Sequence, residues 1–76
     1  MLDAVIVGRV IQRFREQKKQ SQELVSGLAG IGRTHLSAIE RGERKPTLET
    51  FFKICEAMNI RPSTVMAAIE AEIYSK

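Results

Sequence analysis

A chain of 76 residues with 43% hydrophobic and 28% charged side chains has room for one small core and excludes two. No apolar run approaches the ~18 residues of a membrane span, and a lone Cys55 excludes an intrachain disulfide. Twelve Lys and Arg against nine Asp and Glu leave a net charge of +3, and an isoelectric point near 9.4 favours a polyanionic partner.

The opening MLDAVIVG has no basic segment before its apolar residues and merges into an amphipathic pattern, so a secretory signal is not expected and the chain reads as cytoplasmic. The first helix is predicted over residues 2–17, with Asp3 as its cap and Val7, Val10, Ile11 and Phe14 as an i, i+3, i+4, i+7 stripe. Lys18, Lys19 and Gln20 form a turn. Ser21 opens the second helix, Val25 and Ala29 repeat one turn apart on it, and Gly30 ends it in a sharp bend at positive φ. Ile31 is expected as a buried plug. A third helix restarts at Arg33, with Leu36 and Ile39 on the buried face and Gly42 at its close.

Glu43, Arg44, Lys45 and Pro46 make a polar loop that the proline ends. Thr47 caps a fourth helix, whose buried face is expected to hold Leu48, Phe51, Phe52, Cys55 and Met58, with Asn59 in a left-handed position after it. Pro62 suits the first turn of a last helix over about residues 61–74. Val65, Ile69 and Ile73 repeat every four residues there; one end of the stripe should dock on the domain, and the end around Met66, Ile69, Ile73 and Tyr74 is a candidate homodimer surface. The fold class is therefore all-α: five helices in a single domain over residues 1–76, with no strand pattern and no internal repeat.

Catalytic chemistry has little to stand on. No carboxylate pair, glycine-rich phosphate loop or nucleophile and base stand at a recognisable spacing, and one His35 with a distant Cys55 does not supply the three or four ligands of a metal site. No metal, cofactor or small-molecule ligand is expected, and Cys55 reads as an inert buried thiol. What stands out is the polar face of the third helix. Arg33, Thr34, His35, Ser37 and Arg41 offer guanidinium, hydroxyl and imidazole groups suited to base edges and phosphates.

The run SQELVSGLAGIGRTHLSAIERG, residues 21–42, resembles the helix-turn-helix of the Cro and phage-repressor (XRE) family in its polar positions, turn glycine and buried-face pattern. With Phe14, Arg15 and Glu16 upstream and RKPTLETFFKICEAMNI downstream, the resemblance spans roughly residues 7 to 66. It implies a compact, lambda-repressor-like DNA-binding domain that acts as a homodimer on a pseudo-palindromic double-stranded operator and regulates transcription. Arg33 is then placed for a bidentate contact to guanine, with Thr34, His35 and Ser37 reading or supporting neighbouring bases. Gln22 is implied to hold a phosphate and steady Arg33, while Arg41, Arg44 and Lys45 grip the backbone. In the family the positions of Arg15 and Glu40 form a salt bridge. RTHLSAIERGERKPT followed by a short last helix further resembles the controller proteins of restriction-modification systems; with no ligand-binding domain expected, control would come from dimerisation, concentration and operator arrangement.

The sequence departs from the family pattern in two places. Lys19 stands where glycine or asparagine is usual and Gln20 where an apolar residue is usual, so the turn is either strained or takes another route. Leu24 and Leu28 stand at positions usually polar; either the helix rolls to bury Leu28 or the pair is a contact surface. The second alternative carries the rival function, a protein-interaction module such as the antitoxin of a toxin-antitoxin pair. An RNA-binding role lacks aromatic residues among the basic ones for stacking.

Overall fold

The computed structural model describes residues 1–75, which form five α-helices: α1 (Ala4–Gln17), α2 (Gln22–Ala29), α3 (Arg33–Glu40), α4 (Leu48–Ala57) and α5 (Pro62–Ile73). Three starts are set by side-chain caps. Asp3 Oδ1 accepts from the Val5 N–H at 2.8 Å, which begins α1 at Ala4 and leaves Leu2 outside it; Ser21 Oγ accepts from Leu24 at 3.0 Å and Thr47 Oγ1 from Thr50 at 3.1 Å. Pro62 supplies the first turn of α5 without a cap, since its missing N–H has no helical partner to lose.

The ends of α1 to α4 share one device, a left-handed residue whose follower donates to the carbonyl five residues back. Lys19, Gly30, Gly42 and Asn59 have φ of 57°, 73°, 78° and 59°. The N–H groups of Gln20, Ile31, Glu43 and Ile60 return to the carbonyls of Arg15, Ser26, Ala38 and Cys55 at 3.0 to 3.1 Å. The turn after α1 thus takes the left-handed route with a lysine in it, a strain of about 1 kcal/mol that the rest of the structure holds in place.

The core joins Val7, Val10 and Ile11 of α1, Val25 and Ala29 of α2, Leu36 and Ile39 of α3, Phe51, Ile54 and Cys55 of α4 with Met58 just after it, and Val65 and Ile69 of α5. Phe14 and Ile31 pack against it half-buried, so Ile31 is a partial plug. The buried face of α4 corrects the one expected. It runs through Phe51, Ile54, Cys55 and Met58, and Phe52, about 100° around the helix from Phe51, is 46% exposed with its ring edge-on to Phe51 at 6.5 Å. Leu48, in the first turn, is 69% exposed at the rim of a shallow apolar depression lined also by Leu2, Pro46, Phe51 and Met66. A second correction concerns Ile69. At 1% exposure it belongs to the core within the chain, because the four-residue repeat that brings Val65 inward brings Ile69 with it. Met66 and half-buried Ile73 of α5, with Tyr74 just after it, are the large apolar side chains left at the surface there.

Gly8, in the interior of α1, lets that helix pass against the C-terminal end of α3. A Cβ there would overlap the Ile39 carbonyl oxygen and lie 2.8 Å from that of Glu40. This close approach brings the end of α1 within reach of Glu40.

Candidate nucleic-acid interface

Leu36 and Ile39, both 0% exposed, fix the rotation of α3, and the helical period leaves its polar residues on the opposite side. Arg33 and Thr34 in its first turn are exposed, His35 and Ser37 are half-buried, and Arg41, Arg44 and Lys45 are exposed at its C-terminal end and in the loop beyond. The expected contact residues therefore lie on α3 and the loop that follows it, except Gln22, which opens α2. Gly30 makes the bend between α2 and α3, and Ser26, 3% exposed, occupies little room where α2 meets the core, its hydroxyl donating back to the Glu23 carbonyl at 3.2 Å.

Beneath this surface lies a buried polar network. Arg15 donates to Glu40 through Nε to Oε2 at 2.7 Å and through Nη2 to Oε1 at 2.9 Å, with side chains only 10% and 2% exposed. The hydrogen bonds to Glu40 hold the guanidinium above its ordinary pKa against the opposing effect of burial. Arg15 Nη1 donates to the Gln20 carbonyl at 2.7 Å, which pins the left-handed turn at Lys19. Gln22 Nε2 donates to Glu40 Oε1 at 2.9 Å. Its amide therefore steadies the end of α3 through Glu40, where the family resemblance pointed to Arg33. One carboxylate thus ties α1 and α2 to α3, and Arg15 extends the tie to the α1–α2 turn. Gln20 itself leaves its Oε1 buried with no hydrogen-bond partner.

The C-terminal end of α3 carries a second, exposed network that the sequence reading did not anticipate. Arg41 donates from Nε and Nη2 to the two oxygens of Glu43 at 2.8 and 3.0 Å, and from Nη1 to Ser37 Oγ. These contacts raise the Arg41 pKa and lower that of Glu43, the side-chain hydrogen bonds leading in each case. The signal in the sequence was an acid placed two residues after the arginine, on the far side of Gly42. Lys45 Nζ donates to the Leu2 carbonyl at 3.4 Å.

Elsewhere, Leu24 and Leu28 are 48% and 64% exposed, so α2 does not roll to cover them. Cys55 is buried, and burial foremost, with Glu56 second, pushes its thiol up to about 12. Among the described residues, no cluster of three or more His, Cys, Asp or Glu could hold a metal ion, and no helix is long and apolar enough to cross a membrane.

Two short helices meeting at a left-handed glycine, with the second bared to solvent along one polar face, define a helix-turn-helix protein. Residues 11–65 match the helix-turn-helix family model HTH_3, and the chain belongs to this family, in its XRE-type branch. It is 34% identical over 55 residues to the "uncharacterized HTH-type transcriptional regulator y4dJ" of Sinorhizobium fredii, covering 72% of this chain and 71% of that one. It is 30% identical over 63 residues to the control protein C.BamHI of Bacillus amyloliquefaciens, covering 82% and 78%. Among solved structures, the restriction-modification controller protein C.AhdI of Aeromonas hydrophila superposes with a TM-score of 0.80 at 31% identity, over 86% of this chain and 98% of that one.

Proposed function

We propose that this chain is a sequence-specific double-stranded DNA-binding transcriptional regulator that acts as a homodimer on a pseudo-palindromic operator, in the manner of a restriction-modification controller protein. The observation that carries the proposal is the rigid presentation of α3. Its apolar face is locked in the core, its last residue is held by Arg15 and Gln22, and Arg33 and Thr34 project from its first turn, the part of a recognition helix that reaches base edges. Arg33 forks onto guanine O6 and N7, and Thr34, His35 and Ser37 address neighbouring bases. Arg41, Arg44 and Lys45 lie along the sugar-phosphate edge and set register; Gln22 serves that edge with the amide hydrogen not given to Glu40.

Dimerisation uses the surface of α5 around Met66, Ile73 and Tyr74, with Ile69 supporting it from the core beneath. It places half-site centres about 34 Å apart, one helical turn of DNA. One domain over residues 1–76, working in the cytoplasm without cofactor or catalysis, suffices for this role. Selection of bound duplexes from a random pool, followed by sedimentation of the protein alone and on the selected duplex, tests the reading. A conserved inverted repeat bound by two chains is the expected result; no enrichment, or a monomer under both conditions, contradicts it.

A second reading rests on Leu24 and Leu28, whose exposure on α2 suits a protein partner such as a toxin. It requires a stable complex with the product of a neighbouring gene that survives Arg33→Ala and is lost in Leu28→Glu.

A further inference from the structure

The edge of the Arg41 guanidinium that is best shaped to fork a phosphate, formed by Nε and Nη2, is already occupied by the carboxylate of Glu43 at 2.8 and 3.0 Å. The occupation is built into the backbone. Gly42, with φ of 78°, folds the chain back at the end of α3, and the Glu43 N–H is fixed to the Ala38 carbonyl at 3.0 Å, which sets the carboxylate beside Arg41. The third nitrogen, Nη1, rests on Ser37 Oγ, so a second α3 side chain is drawn into the same arrangement.

We propose that Glu43 is an internal stand-in for DNA phosphate: it holds Arg41 in the free protein, is displaced from it by a backbone phosphate on docking, and thereby weakens binding to every sequence. This rests on the reading of α3 and its following loop as the DNA-contacting surface. The exchange is feasible because Arg41 and Glu43 have side chains 56% and 58% exposed, and a solvated ion pair is held weakly. The dense charge of a duplex competes well for the same fork. Once Arg41 turns to phosphate, Ser37 Oγ regains an acceptor position for a base edge. Glu43 then faces the backbone unpaired, and its repulsion adds to the weakening.

The test measures binding of the wild type, Glu43→Gln, Arg41→Gln and the double variant to short duplexes of random sequence and to the duplex selected from them, at several salt concentrations. Thermal unfolding of each variant checks that the fold is retained. Glu43→Gln should bind both kinds of duplex about two- to fivefold more tightly, and its plot of log K against log salt should steepen by about one unit. The gain should shrink when Arg41 is already Gln, because no pair is left to break. If Glu43→Gln binds no more tightly than the wild type, or gains equally in both backgrounds, the stand-in role is wrong while DNA binding stands. If the wild type binds no duplex at all, the inference falls together with the function it rests on.

Discussion

Glu40, the last residue of α3, takes a two-bonded fork from Arg15 of α1 at 2.7 and 2.9 Å with its own side chain 2% exposed. A pair buried this deeply contributes to the orientation of α3 more than to net stability, since desolvation of both charges offsets much of their attraction.

Breaking the pair one-sidedly is expected to be severe. Glu40→Ala leaves a buried guanidinium without its carboxylate and should cost about 3 to 5 kcal/mol. Replacing both, as Arg15→Met with Glu40→Leu, should recover most of that loss in chemical denaturation. Equal losses for the single and double variants would mean that the pair itself holds the fold.

Gln20 is the mirror case. Its buried Oε1 has no partner, so Gln20→Leu should raise stability by about 1 kcal/mol while the Arg15 bond to the residue-20 backbone carbonyl survives. A shift in the midpoint of urea unfolding, at unchanged slope, is the readout; a fall in the midpoint would contradict the burial argument.

The left-handed positions separate backbone strain from crowding. A Cβ at Gly30 meets no atom within 4 Å, so Gly30→Ala tests the φ of 73° alone, with an expected loss of about 1 to 3 kcal/mol, and Gly30→Val should lose at least as much. Lys19→Gly, at φ 57°, should move stability the other way by about 1 kcal/mol. Thermal melts of Gly30→Ala and Lys19→Gly shifting in the same direction would refute this.

Glu72 of α5 receives Arg13 at 2.6 Å and Arg9 at 3.0 Å, and their hydrogen bonds, Arg13 first, hold its carboxyl below the ordinary range. A depressed folded-state pKa stabilises the fold above the ordinary carboxylate value, and the contribution is lost as pH falls through the depressed one. Wild type and Glu72→Gln should therefore differ most near neutrality and converge in acid, as read from unfolding at a series of pH values. A difference that grows on acidification would reverse the assignment.

Where one physical rule decided a feature, that feature was legible in the sequence. The caps at Asp3, Ser21 and Thr47, the bends at Gly30 and Asn59, and the stripe of α1 each follow from local chemistry. Features that depend on two elements meeting were not. Gly8 reads as a weak point in a helix until the Ile39 and Glu40 carbonyls are set against it. Phe52 and Leu48 are as apolar as Phe51, and only the rotation of α4 on its neighbours leaves them exposed. Ile69 faced the same choice and went inward. In the candidate site, the residue types on α3 were plain, but the pairing of Arg41 with Glu43 needed the fold-back at Gly42 to become visible.

The contrast between Arg33 and Lys45 tests the docking of α3 most directly, because each carries one positive charge and only position separates their roles. Both variants would be measured on the selected duplex, on its single-base variants and on random DNA, across a range of salt. Arg33→Ala is expected to cost about 1 to 3 kcal/mol on the selected duplex and to flatten discrimination at one base pair per half-site. Lys45→Ala is expected to weaken all sequences alike and to lower the salt slope by about one unit. If Arg33→Ala keeps the full specificity ratio while Lys45→Ala loses it, α3 does not read the major groove as proposed.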